Sequence, residues 1–282
     1  MTTRKANITV LLIFGTFIIF RTIFPPDEND TFSETLFNLS IELVGGIILL
    51  AILNILQNIN RLYFYFQTKI VLRKKEIRLS IAYLFRIKVD GKYLLVKNSR
   101  RNYYQPVGGA FKTLPGSEKI FEKLEVKSDR LIETEKGIAK NDLRVFVKGI
   151  NVIEFIEWFN SKEDRETSPW REFCEELIST NILPWKQFRF IDYKFKGTVQ
   201  TPILNLDSGD KGIFIYEIYD LVINDDQKPI LESLLENGDS DKYIWADENL
   251  INRLGHSESR KQYIYEIAKH TKWALNMKWS KD

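Results

Sequence analysis

Pro169 to Thr180 reads PWREFCEELIST, and this stretch decides the fold. It sets Glu172, Glu175 and Glu176 within about one helical turn, directly after Arg171. Like charges at such spacing cost a helix roughly a few tenths of a kcal/mol per pair. A solvated helix face tolerates that cost, with Phe173 and Leu177 turned inward. A divalent cation held through carboxylates and water would offset it. The start of the helix is well marked, with Ser168 placed to cap it and Pro169 at its first position. Pro184 lies beyond its exit, so the helix is expected to end near Ser179.

Upstream, the periodicity is two. RLSIAYLFRIK, from Arg78, alternates and is rich in β-formers, which predicts a strand. Asp90-Gly91 is a hairpin signal, with KYLLVK returning. The segment NSRRNYYQPVGGAFK then turns at Pro106 and at the pair Gly108-Gly109. Within residues 112–165, DLRVFVKG reads as a strand and INVIEFIEWFNSKE as a helix. Downstream, QFRFIDYKFKG and KGIFIYEIYDLVI alternate as strands, and QKPILESLLENG is a helix ending at Gly238. DKYIWADENLINRL predicts a strand running into a short helix, and SESRKQYIYEIAKHTKWAL a last helix. The expected class is α+β, an α/β/α sandwich around a mixed sheet over residues 78–282.

The N-terminal part differs in kind. Residues 6–24 and 36–59 are two apolar runs, each near the roughly 20 residues that cross a bilayer. No small-residue cleavage site follows the first, so a two-helix transmembrane hairpin (about 7–24 and 36–59) is expected rather than a signal peptide. Arg4 and Lys5 precede the first run, and Arg61, Lys69, Arg73, Lys74, Lys75 and Arg78 follow the second. The loop between holds Asp27, Glu28, Asp30 and Glu34. The positive-inside bias then puts both termini in the cytoplasm, with residues 61–77 a basic linker. Arg21 and Glu42 lie at matching depths and either snorkel to the interface or pair with each other. One cysteine, Cys174, leaves no intrachain disulfide and suits a reducing compartment. Two histidines and that cysteine argue against structural zinc. A net charge of +3 is too balanced to point to DNA.

The order strand, hairpin, strand, Gly-Gly turn, Arg-Glu-x-x-Glu-Glu helix, strands and final helix resembles the Nudix fold. Arg171, Glu172, Phe173, Glu175 and Glu176 match the second half of that family's box, YYQPVGGAF resembles its entry with Gly109 at the box glycine, and YIWADENL resembles its late signature. Two departures stand out. Pro115 occupies the box's first glutamate position, and about 55 residues separate it from Arg171, so an insertion over about 112–165 splits the box. The helix-ending glycine is Ile178.

For an active Nudix enzyme the resemblance implies Mg²⁺ at Glu172, Glu175 and Glu176, with Arg171 orienting a carboxylate. A membrane hairpin joined to a degenerate, insertion-bearing Nudix domain resembles the effector of bacterial CBASS anti-phage systems. That resemblance implies a sensor of a cyclic di- or trinucleotide that homo-oligomerises in the inner-membrane bilayer and impairs it. Lys97, Arg100, Arg101, Tyr103, Tyr104, Gly108 and Gly109 are the candidate ligand contacts, cations for phosphate and aromatics for bases. Two other readings stay open. One is a membrane-anchored, Mg²⁺-dependent hydrolase of a nucleoside diphosphate derivative. The other is a non-catalytic scaffold in which Phe155, Trp158 and Phe159 form a docking helix.

Overall fold

The computed structural model describes residues 14–16, 18, 19, 21–23, 31–132 and 140–281. The chain divides into two compact units, Met1–Phe66 and Gln67–Asp282.

In the first unit, helix α1 spans Thr31–Gln57. Its segment Phe37–Gln57 is 21 residues long with a hydropathy of 2.4, enough by length and composition to cross a membrane. Leu39, Ile48, Leu50 and Leu56 are among its exposed apolar side chains. Asn58 Nδ2 donates to the Asn54 carbonyl at 2.8 Å where the chain passes into α2, Ile59–Phe66. The first apolar run is helical at its described residues between Phe14 and Ile23, a stretch shorter than a span, and its remaining residues lie outside the described ones. One crossing helix, not the expected pair, is therefore found among the described residues. The expected alternative of an Arg21–Glu42 ion pair is not seen among them either. The Arg21 guanidinium lies over the Phe37 ring, 5.4 Å from its centroid, and Glu42 is exposed.

The second unit starts earlier than the change of periodicity at Arg78 suggests. Gln67–Val71 forms a π-helical turn with Thr68 buried, and Lys69 Nζ donates to the Ile150 carbonyl at 2.5 Å. These contacts make the turn part of the unit rather than of a linker.

Strand β1 is Glu76–Arg86. Its odd positions Ile77, Leu79, Ile81, Tyr83 and Phe85 are fully buried, the signature of a central strand. Asp90 and Gly91 both take positive φ, 45° and 80°, as the hairpin signal requires. The hairpin joins only the short β2, Lys88–Val89, to β3, Lys92–Lys97, while β1 itself pairs elsewhere. Strands β4, Tyr104–Gln105, and β5, Gly108–Ala110, follow.

The insertion folds as α3, Ser117–Lys123, β6, Lys127–Ser128, β7, Arg144–Lys148, and α4, Gly149–Ser161. Phe155, Trp158 and Phe159 are buried, so these three rings of α4 pack on the domain rather than forming a docking face. The glutamate stretch forms α5, Trp170–Phe173, and continues as a π-helix over Cys174–Ile178. A short α6, Trp185–Phe188, takes the start of the strand expected from Gln187. Then come β8, Asp192–Gln200, β9, Leu204–Asn205, β10, Lys211–Val222, α7, Lys228–Glu236, β11, Tyr243–Asp247, and α8, Glu248–Asn252. Asp247 caps α8 by accepting from Leu250 N at 2.7 Å. The expected long last helix is shorter. Residues His256–Ser257 (β12) and Gln262–Tyr263 (β13) make a hairpin, and only Lys269–Asn276 is helical, as α9. Tyr263 stacks edge-on against His256 at 5.3 Å, which holds the hairpin.

The large sheet runs β6-β7-β1-β10-β8, with β5 on β1 and β9 on β10; β1 and β10 are parallel and the other pairs antiparallel. A second sheet runs β11-β3-β2, with β4 on β3. Helices cover both faces of the large sheet. Phe85 meets Phe173 of α5 at 5.5 Å on one face, and on the other Trp273 of α9 joins Leu84, Val199 and Ile218.

Candidate functional site

Gly108 and Gly109 bring β5 against β1 and the glutamate helix. A Cβ on Gly108 would stand 2.0 Å from the Tyr83 carbonyl oxygen, and one on Gly109 would stand 2.2 Å from Glu172 Oε1. Gly108 N donates to Glu176 Oε2 at 2.8 Å. The Tyr83 hydroxyl accepts from Glu172 N at 3.2 Å, fixing the helix start on β1.

Arg171 is the centre of the site. Its Nε and Nη2 bond the two oxygens of Glu166 at 3.0 and 3.1 Å, a bidentate pair. Nη1 donates to Glu172 Oε1 at 2.6 Å and lies 3.4 Å from both oxygens of Glu175. Nη2 also reaches the Ala110 carbonyl at 2.9 Å. A guanidinium has five N–H donors in a fixed fork, and this one is turned wholly into the cluster. Burial works against its charge, but the bonds to Glu166 and the field of Glu172 hold its pKa above the arginine value.

Glu166 was not singled out from the sequence. The resemblance places a glutamate where Pro115 stands, near the start of the insertion; the carboxylate that Arg171 takes comes from just beyond its far end. The two ends of the insertion are pinned together. Glu166 N donates to the Lys112 carbonyl at 2.8 Å, and Lys112 N to Glu166 Oε2 at 3.1 Å. The box is thus rejoined in space across residues that split it in sequence.

The glutamates differ from one another. Burial raises the Glu172 pKa while Arg171 opposes it. Burial raises that of Glu176 well above the usual range, opposed by the Gly108 N–H. Glu175 is half exposed. Three carboxylates have the donor chemistry for Mg²⁺. As they stand they do not fit one. Arg171 holds Glu172 and leans on Glu175, Gly108 holds Glu176, and no three of His, Cys, Asp and Glu among the described residues gather closely enough for a metal ion. In this arrangement the three glutamates are engaged by Arg171 and the Gly108 N–H.

Glu176→Gln is a direct check on that buried charge. The amide oxygen keeps the bond from Gly108 N, and only the charge is lost. A carboxyl whose folded pKa is raised supports the fold below its unfolded value and loses that support as pH rises through the folded value. The variant should therefore exceed the wild type by about 1–3 kcal/mol at pH 8, the gap closing toward pH 4.5. Urea unfolding across that range reads it; equal stability at pH 8 would mean that the carboxylate is solvated.

The expected ligand residues separate. Asn98 Oδ1 accepts from Arg100 N and Arg101 N, both at 2.9 Å, and shapes their loop. Arg101 and Tyr103, with Asn102, line a cavity of about 730 Å³ whose other wall carries Tyr263, Lys269 and His270. Burial pushes the His270 pKa down to about 4, so the ring is neutral. Tyr104 faces elsewhere, packed edge-on against Tyr265 at 5.5 Å. Lys97 is exposed on β3, and Gly108 and Gly109 belong to the glutamate cluster. Tyr263, Lys269 and His270 were hidden in the sequence because they lie in the stretch read as one long helix.

A family model, the SMODS-associated Nudix domain, matches residues 76–275. The chain belongs to that family. The matched stretch takes in the Gly-Gly turn, the insertion, the glutamate helix and all the cavity residues. This Nudix-like α+β domain is also similar to two solved structures. One is a MutT protein from Bacillus halodurans, 11% identical with a TM-score of 0.27, covering 70% of this chain and 80% of that one. The other is a Nudix hydrolase from Nitrosomonas europaea, 13% identical with a TM-score of 0.25, covering 70% and 86%. No curated protein matches the chain.

Proposed function

We propose that this protein is a membrane-anchored sensor and effector of a CBASS-type defence system. Its Nudix-like domain binds a cyclic di- or trinucleotide, and binding drives assembly of the membrane part, which impairs the inner membrane.

The observation that carries it is the cavity. It sets two cations, Arg101 and Lys269, against one acid, Glu266, beside the rings of Tyr103, Tyr263 and His270. Its volume falls in the roughly 300–1,000 Å³ range of small-molecule sites. Cations suit phosphates and flat rings suit bases. Other features support the same reading. The matching family, the SMODS-associated Nudix domain, is linked to CBASS-type effectors, and the glutamates are engaged by Arg171 and Gly108. The aromatic run Tyr63–Phe66 follows the crossing helix, where interfacial belts lie. A ligand activates only by favouring the assembled state over the resting one, so its affinity must differ between the two.

The test uses the full chain in lipid nanodiscs and in vesicles. Cyclic di- and trinucleotides are added with Mg²⁺, and thermal stability, ligand integrity, oligomer size and dye leakage are followed together. One ligand that stabilises the protein, stays intact and triggers assembly and leakage supports the sensor. Breakdown of a nucleotide, abolished in Glu175→Gln, would replace it with the hydrolase.

A further inference from the structure

Strands β7, β1 and β10 lie side by side, and their register lays out one face in rows. Arg144, Ser80 and Phe214 form one row; Phe146, Arg78 and Gly212 form the next; Ala82 and Tyr216 stand on the other side. These even positions of β1 face away from the fully buried odd ones. Ser80, Arg144, Phe214 and Tyr216 are only half-buried there.

The result is a trough. Its floor is small, with Ser80 and Ala82. One wall is cationic. Arg144 pairs with Asp142, but Asp142 is shared with Lys112 at 2.6 Å, so that trio carries excess positive charge. Burial lowers the Arg144 pKa, Asp142 opposes that, and Arg100 and Arg78 stand close enough to lower it further. The other wall is aromatic. The Phe214 and Tyr216 rings are parallel within 4°, their centroids 6.5 Å apart. Leu206 covers Gly212 at one end, and α9 closes the other with Trp273 beside Tyr216 at 6.2 Å.

That aromatic wall continues into the cavity. His270 stacks on Tyr216 at 5.4 Å and 17°, and its ring meets Tyr103 edge-on at 6.2 Å. Phe214, Tyr216, His270 and Tyr103 thus form one row of rings from trough to cavity.

We propose that the trough is a second nucleotide subsite. One base lies against Phe214 and Tyr216 with its phosphate at Arg144 and Arg100, and a linked base enters the cavity at Tyr103 and His270. This rests on the sensor reading and deepens it, placing two joined base–phosphate units of the ligand on named residues. A mononucleotide fills half the site.

The test is titration of the full chain in nanodiscs with cyclic di-AMP, cyclic di-GMP, cyclic GMP–AMP and cyclic tri-AMP, against AMP and GMP. Loss of one stacking ring weakens nucleotide binding roughly 5- to 150-fold. In Phe214→Ala the preference for the cyclic dinucleotide over the mononucleotide should fall about 10- to 100-fold. Arg100→Ala, an exposed change that leaves packing alone, should weaken the cyclic dinucleotide about tenfold and flatten its salt dependence. Wild-type binding that both variants keep would overturn the second subsite and leave the sensor standing. Equal wild-type affinity for mono- and dinucleotide would overturn it too. No wild-type binding to any cyclic probe would overturn the sensor reading itself.

Discussion

Arg171→Ala should lose about 3–5 kcal/mol of stability at pH 8, lowering the midpoint of thermal unfolding by on the order of 10 °C. The loss is large because the arginine's partners stay behind. Glu166 and Glu172 are both mostly shielded, at 14% and 15% side-chain exposure, and would face each other without a cation. Removing one member of such a cluster costs more than the pair contributes when intact. The pH dependence separates this cause from lost packing. Glu172 already has a raised pKa through burial, and Arg171 is what restrains it. Without that restraint the folded pKa climbs further. A group raised in the folded state supports the fold below its unfolded value and costs stability as pH rises through the folded one. The deficit of the variant should therefore shrink as pH falls from 8 toward 5. Arg171→Lys should recover only part of it, because an ammonium cannot bond Glu166 in bidentate form and still reach Glu172 and Ala110. Urea unfolding of the three proteins at pH 5, 6.5 and 8 decides the matter. A deficit that stays constant with pH would assign the loss to packing.

The same cluster shows what the sequence could and could not say. Spacing alone placed Glu172, Glu175 and Glu176 on one helix beside Arg171, period-two alternation located β1 and β10, and the Asp90-Gly91 hairpin signal located β3. These are local signals, carried by residues a few positions apart. The destination of each glutamate was not local. Gly108 and Gly109, more than 60 positions upstream, receive Glu176 and Glu172. Glu166 had no pattern to mark it, because its role depends on Lys112 closing the insertion from the other side. The trough was half legible. IFIYEIY alternates, so Phe214 and Tyr216 had to share a face, but nothing in that strand says that Arg144 lies two strands away on the same side. The last misreading has a backbone cause. Gly255 takes φ +93°, and a Cβ there would stand 1.9 Å from the Tyr265 carbonyl, so the chain folds back into the hairpin where the helix was expected to begin. A glycine before a polar run is a weak cue, and the helical apolar spacing beyond it outweighed it.

Gly108→Ala should prevent folding of the second unit or cost more than about 3 kcal/mol. Its φ is +152°, which side chains rarely accept, and the atom in the way is the Tyr83 carbonyl oxygen at 2.0 Å. That oxygen cannot yield. Tyr83 is mid-strand in β1, paired with Glu217 of β10 on one side and with Gly109 on the other. Moving it would open the centre of the sheet and loosen the hydroxyl that holds Glu172 N. Gly109→Ala meets a different obstacle, the carboxylate of Glu172, which is the far end of a flexible side chain. It can swing aside at the loss of its place beside Arg171, for about 1–2 kcal/mol. The neighbouring substitutions should therefore separate. Gly109→Ala gives a folded protein with a disturbed arginine cluster, and Gly108→Ala gives little folded protein at all. Circular dichroism and urea unfolding of the two variants, purified side by side, test this. If Gly108→Ala folded as well as Gly109→Ala, the close approach of Gly108 to the Tyr83 carbonyl would not be what sets β5 against β1.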